Sequence, residues 1–223
     1  MPKGKHSRTA CIITQSYCYE LEWLKERMTL LKIKQMNTDT LTNNNLLAIL
    51  EENRKLANQI NPQQIKVLVH EIKAAKRIFV MAAGRSGLAL KMAAMRFMHL
   101  GYTVFIVGET NTPAILKGDL LLLASGSGTT ASVLSSAEKA KSQQATVIAI
   151  TADVKSKLAV LADAIILVNA ATKTDFGVSV SKQYAGSLFE QFTLLVLESV
   201  FMTLWQESGL TKEDLWPKHA NLE

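Results

Sequence analysis

Ser125-Gly126-Ser127-Gly128-Thr129-Thr130 sets four hydroxyls and two glycines in six consecutive residues, with no charge among them. The run follows an apolar stretch, Leu120 to Ala124, and precedes a helix-like pattern starting at Ala131. Glycines let a backbone approach a ligand closely, and the first N–H groups of a helix lack intrahelical partners and carry the positive end of the dipole. With the hydroxyls of Ser125, Ser127 and Thr130 as neutral donors, such a loop suits a phosphate monoester that must bind and leave. The lysine that reaches a nucleotide's outer phosphates in a P-loop is absent, and the glycine offsets differ from the dinucleotide fingerprint. The same residues are equally compatible with a turn in which a hydroxyl caps the helix. A second run, Gly84-Arg85-Ser86-Gly87, also follows a short apolar stretch and directs Ser86 and Arg85 to the same region, unless Arg85 is a solvated surface charge.

Two residues could move protons. Glu190 stands in an otherwise apolar run, SLFEQFTLLVLESVF, where a carboxylate is either a general base or a first-turn acid favoured by the helix dipole. His219 lies in the tail after Trp216, with no strongly packing residue around it, and is either a second participant or a solvated imidazole. Glu109 occupies a loop between two strands, where it can meet a polyol or water. His70 and His99 are expected to be structural, and Met92, Met95 and Met98 are expected in the core.

The elements that position these groups follow a regular rhythm. Helical patterns cover about residues 40–60 and 62–76, the second opened by Pro62. Short apolar runs at 77–83, 102–108, 119–125, 146–151 and 163–169 then alternate with helical segments. A long loop spans 170–186, and a final apolar helix runs from about Ser187 to Glu207. Strands buried on both faces and separated by helices form a parallel sheet covered on each side. The fold class expected is therefore α/β, a single domain with a five-stranded parallel sheet sandwiched by helices. Ligands of such sheets bind beyond the carboxyl ends of the strands, near the topological switch point. That rule selects the loops at 83–87, 108–113 and 125–130.

The totals exclude several classes. The net charge of +6 is concentrated near the start, where residues 1–36 hold seven Lys/Arg against three Glu, or +4. The other 187 residues carry 18 − 16 = +2, too little for a phosphate-tracking surface, so no nucleic-acid partner is expected. Cys11 and Cys18 match no zinc spacing, so no metal is expected, and the cysteine-free remainder suits the cytoplasm. No membrane span or signal peptide is expected. Residues 1–38 read as a poorly ordered extension, with one short amphipathic helical pattern in LEWLKERMTLLKI, and 39–223 as the domain.

In order along the chain, GRSGL, MRFMHLG, VGETNTPAI, KGDLLLLASGSG, GSLFEQ and the terminal HANLE resemble the sugar isomerase (SIS) domains, and among them the 6-phospho-3-hexuloisomerase family. The resemblance covers about residues 40–223. It implies a homo-oligomer, typically a tetramer, that needs neither metal nor organic cofactor. Its reaction would interconvert D-arabino-hex-3-ulose 6-phosphate and fructose 6-phosphate in the ribulose monophosphate pathway. By position it implies that Ser86 and Ser125, Gly126, Ser127, Gly128, Thr129 and Thr130 hold the phosphosugar, and that Glu190 transfers the proton. Arg85 and Glu109 join the binding residues on the loop reading above. The resemblance sets the tail carrying His219 near an active site, that of a neighbouring subunit being one option. This chain departs from the family pattern at Thr129 (usually Glu), Lys218 (usually Arg), Ala82 (usually Gly) and Tyr184-Ala185 (usually Pro-Met). An aldose–ketose isomerase acting on another phosphosugar, or a phosphosugar-binding module without catalysis, would share these features.

Overall fold

The structure, a computed structural model, describes residues 22–29, 38–175 and 181–222. Residues 22–29 are helical and exposed, within the segment of amphipathic pattern, and the rest of the expected N-terminal extension up to residue 37 lies outside the described residues. The chain divides into two units, Met1–Ala48 and Ile49–Glu223, and the sheet and all the candidate residues belong to the second.

Helix α1 (Thr38–Ala57) crosses that division, and α2 (Pro62–Ala74) follows. Asn61 caps α2 by accepting the Gln63 N–H, with Pro62 at the position where a missing N–H costs nothing. Five strands then appear: β1 (Ile78–Ala82), β2 (Val104–Ile106), β3 (Leu120–Ala124), β4 (Thr146–Thr151) and β5 (Ala164–Leu167). All pair in parallel, in the order β2-β1-β3-β4-β5. Helices α3 (Gly84–His99), α4 (Ala131–Ser142), α5 (Lys157–Leu161) and α6 (Ser187–Ser208) surround the sheet, and the short α7 (Lys212–Leu215) leads to the tail.

The two-residue period of each strand distributes the core. Ile78, Val80, Leu120, Leu122, Ile148 and Ile150 face one layer with α3 and α6. Phe79, Leu121, Leu123, Val147 and Ala149 face the other, with α4 and α5. This division is the reason the strands read as continuous apolar runs. At the entry to the sheet, buried Asp119 accepts from Arg77 Nε at 3.0 Å and from Nη2 at 2.5 Å, tying the start of β1 to β3.

Helix α6 is long and apolar enough by composition to cross a membrane, but over half of its most apolar window is buried in the core. The methionines differ from expectation. Met92, Met95 and Met98 are exposed, and with Leu88 they leave an apolar stripe on the outside of α3, because Leu90, Ala93, Ala94 and Phe97 supply its core face.

His99 is buried at the end of α3. Desolvation by burial, then the neighbouring His219, Arg96 and Lys218, hold its imidazole below the usual histidine value. The folded state therefore resists a proton that the unfolded chain accepts. Stability from neutral His99 is present above the unfolded pKa of about 6.5 and is lost as pH falls below it. Thermal melts should show Tm constant above about pH 7 and declining toward pH 5, with a shallower decline in His99→Gln.

Candidate active site

Between β1 and β3 the chain reverses its direction across the sheet, since β2 is added on one side of β1 and β3 on the other. The final residues of these strands, Ala82 and Ala124, are paired neighbours. The loops that leave them must diverge, and the space between is the switch-point crevice expected of such sheets. A cavity of about 320 Å3 occupies it. Ala83 and Ser86 line one side, Ser125, Gly126, Ser127, Thr129 and Thr130 the next, and Gly186, Phe189 and Glu190 of α6 the far wall.

The hydroxyl loop is built by its glycines and by pairing among its own side chains. Ser125 Oγ and Thr130 Oγ1 lie 3.0 Å apart, as do Ser127 Oγ and Thr129 Oγ1. Thr130 is the N-cap residue of α4 but its side chain makes no capping bond. The hydroxyls are therefore not used to terminate the helix, and the reading of the loop as an ordinary capped turn loses its support. Gly126 lies against the Phe189 ring, 3.4 Å from where a Cβ would sit. Gly128, outside the cavity lining, turns the chain at φ +59 while its carbonyl accepts the Leu158 N–H at 3.1 Å.

Arg85 and Ser86 lie in the first turn of α3, which begins at Gly84. Gly84 takes φ +59, the left-handed conformation that glycine adopts without penalty. Gly87 allows the helix to pass close to β1, since a Cβ there would meet the Ala82 carbonyl oxygen at 2.6 Å.

Glu190 is only 9% exposed although it stands beside the cavity. Its Oε2 accepts a hydrogen bond from Arg85 Nε. A charge-assisted bond of this kind holds the carboxylate in place as it leaves water. Its Oε1 lies toward Gly186, 4.0 Å from where a Cβ would be. The arrangement faces an acidic group, fixed from one side, with a set of neutral donors across a small crevice. It can hold an anionic polyol and exchange a proton with it.

The remaining sequence-selected residues lie elsewhere. Glu109 is exposed and accepts from Lys91 Nζ at 2.8 Å, outside the cavity lining. The His219 ring stacks on His99 at 4.1 Å and lies 4.9 Å from Trp216. His99 closes α3 and Ser86 lies in its first turn, so the thirteen residue steps between them, at about 1.5 Å each, set His219 roughly 20 Å from its own chain's cavity. The tail thus has the packing partner that its sequence does not reveal. The sequence reading missed Thr172, Lys173 and Thr174, which line the cavity after β5. Their signal was available, a Thr-Lys-Thr run at the carboxyl edge of the sheet. Among the described residues no group of His, Cys, Asp or Glu is arranged to hold a metal.

A crevice of hydroxyls with one buried carboxylate lies at the switch point of a five-stranded parallel sheet, the architecture of an α/β ligand-binding domain. The chain belongs to the SIS domain family, whose model matches residues 71–195. Among curated proteins, the 3-hexulose-6-phosphate isomerase of Mycobacterium gastri is 52% identical over 185 residues, which is 83% of this chain and 92% of that protein. The protein of the same name from Bacillus subtilis is 40% identical over 176 residues, 78% of this chain and 95% of its own. A solved structure from Methanococcus jannaschii, for which a function of 3-hexulose-6-phosphate isomerase was inferred, superposes with a TM-score of 0.71 at 32% identity. It covers 81% of this chain and 99% of that one.

If Ser127 contacts the phosphate, Ser127→Ala removes a hydrogen bond to a charged group worth about 1.5–3 kcal/mol. The KM should rise about tenfold or more, with Tm nearly unchanged because Ser127 is exposed. An unchanged KM would mean that the loop does not grip the substrate.

Proposed function

We propose that this chain is a 3-hexulose-6-phosphate isomerase that interconverts D-arabino-hex-3-ulose 6-phosphate and fructose 6-phosphate. The observation that carries this reading is the buried Glu190 carboxylate facing the uncapped hydroxyl loop across one crevice. The shared length with the isomerases of Mycobacterium gastri and Bacillus subtilis supports the choice of substrate.

The chemistry assigns a task to each part. Ser86, Ser125, Ser127, Thr130 and the backbone of Gly126, Ser127, Thr129 and Thr130 hold the phosphate. Lys173 on the opposite lip supplies a positive charge. With the sugar extended toward α6, Glu190 removes the proton from C2 of the 3-ketose while the C3 carbonyl oxygen takes a proton from solvent, giving the enediol. Return of a proton to C3, with loss of the C2 hydroxyl proton, gives the 2-ketose. One carboxylate over two adjacent carbons can be base and then acid. Arg85 orients it. His219 can take part only at the cavity of a neighbouring copy.

We further place the protein as a homo-oligomer, a tetramer on the family pattern. Leu88, Met92 and Met95 on α3 and Leu195 and Met202 on α6 are exposed on two helices that pack together, an apolar face of the kind that a second copy covers. Residues 1–38 are dispensable for the reaction on this reading. A cytoplasmic place in the ribulose monophosphate pathway suits a cysteine-free body and this substrate.

The test is a coupled assay that supplies 3-hexulose 6-phosphate and follows fructose 6-phosphate, with ribose and arabinose 5-phosphates as competitors. Efficient turnover of the hexulose is expected. Turnover of a pentose phosphate alone would instead mark an aldose–ketose isomerase, and binding without turnover a sensor.

A further inference from the structure

A chain of polar side chains runs from α1, through residues 181–183, into the first turn of α6. At its head is Glu52. Its Oε2 accepts from Ser181 Oγ at 2.8 Å and from Gln183 Nε2 at 2.9 Å, and its Oε1 accepts from the Lys182 N–H at 2.8 Å. Gln183 Oε1 accepts from Gln191 Nε2 at 2.8 Å. Gln191 Oε1 accepts in turn from Asn53 Nδ2 at 3.0 Å, and the same Asn53 nitrogen donates to the Ile49 carbonyl at 2.9 Å.

The carboxylate sets the direction of this chain. An ionised carboxylate can only accept, so Gln183 must turn its NH2 group to Glu52 and its carbonyl to Gln191. Gln191 must then present its own NH2 to Gln183 and its carbonyl to Asn53. The charge at one end and the Ile49 carbonyl at the other, both of which can only accept, set one direction for the three amides between them. Burial works against the charge on Glu52, and hydrogen bonds from Lys182, Gln183 and Ser181 outweigh it, leaving the carboxyl below its ordinary range.

The two ends of the chain lie on α1, and its middle reaches Glu190 from two sides. Gln191 is the next residue on α6. Residues 181–183 lead through Tyr184 and Ala185 to Gly186, whose carbonyl accepts the Glu190 N–H at 3.1 Å. Ala185 stands at φ +50, a conformation that strains a residue with a Cβ. A segment strained in this way keeps its shape only when something outside it holds it. Glu52, Gln183 and Gln191 do not line the cavity, so they do not touch the substrate there.

We infer that Glu52 is a positioning residue for the reaction: through Gln183 and Gln191 it fixes the turn before α6, and so the place of Glu190 over the sugar. The inference rests on Glu190 being the base.

Glu52→Gln preserves shape but sets an NH2 group against the existing donors. We expect kcat for 3-hexulose 6-phosphate to fall about 10- to 100-fold, as a small displacement of a catalytic group does, with KM within about twofold and circular dichroism unchanged. The double variant Glu52→Gln/Gln183→Glu returns a carboxylate to the chain, opposite donors on both sides, and should recover at least tenfold of the lost kcat. Gln183→Met cuts the chain without changing a charge and should give the same split between kcat and KM, which covers a Glu52 variant that fails to fold. Wild-type kcat in the folded single variants would overturn the inference, as would a double variant no better than Glu52→Gln. The two assignments separate cleanly. Near-normal turnover in Glu190→Gln removes the base itself, whereas an inactive Glu190→Gln beside a fully active Glu52→Gln removes only the role of Glu52.

Discussion

Glu190→Gln should lower kcat for 3-hexulose 6-phosphate by about 10²–10⁴-fold, the usual cost of removing a general base, while KM changes by less than about threefold. Glutamine has nearly the same shape, and its carbonyl can still accept from Arg85 Nε, so the wall of the cavity is retained. What it cannot do is take a proton from carbon at neutral pH. A fall in kcat and kcat/KM by the same factor is the signature of an interaction needed only in the transition state. The alternative role, a first-turn acid complementing the α6 dipole, has a different outcome. It predicts a stability loss of about 0.3–1 kcal/mol and ordinary turnover. Steady-state kinetics and a melting curve on the one variant therefore separate the two roles.

Gly128→Ala should damage both stability and binding, although Gly128 does not line the cavity. At φ +59 any other residue is strained. The new Cβ would also sit 2.1 Å from Ser156 Oγ and 2.3 Å from Ser156 Cβ. Ser156 cannot readily give way. It is buried, its hydroxyl donates to the Asp153 carbonyl at 2.7 Å, and it accepts the Ala159 N–H at 3.2 Å as the cap of α5. Strain of about 1–2 kcal/mol adds to an overpacking cost of about 1–3 kcal/mol. For a domain of this size Tm should fall roughly 5–15 °C. The hydroxyl loop moves with it, so KM should rise more than tenfold in whatever protein remains folded. Adding Ser156→Gly removes the clash and leaves the strain, and should restore part of Tm. A variant with native Tm and KM would show that the loop tolerates a side chain at this turn.

The architecture was legible because its signals are local. Each strand announces itself as a short apolar run, and the loops that close the cavity sit immediately after β1 and β3, where the switch-point rule looks for them. Ser86, Ser125, Ser127 and Glu190 could be selected for the same reason: a hydroxyl loop before a helix and a carboxylate in an apolar helix are unusual on their own. The parts that were missed depend on contacts far apart in sequence. Glu52 reads as one more charge on an amphipathic helix, and nothing near it foretells an encounter with Ser181 and Gln183 about 130 residues later. His219 looked unpacked because its partner, His99, is 120 residues away. Glu109 was drawn toward the site by its loop, yet Lys91 on α3 holds it at the surface. The methionines of α3 misled in the opposite direction. Their spacing marks one face of a helix but does not say whether that face meets this sheet or another molecule.

The central claim, that the carbonyl moves by proton transfer through an enediol, is tested most directly in deuterium oxide. Wild-type protein should convert 3-hexulose 6-phosphate to fructose 6-phosphate carrying solvent deuterium on C3, and should wash deuterium into the remaining substrate at C2. Both incorporations should fall with kcat in Glu190→Gln. Product and substrate free of solvent deuterium after many turnovers in both directions, with the C2 hydrogen carried intact to C3, would mean a hydride shift and contradict the account.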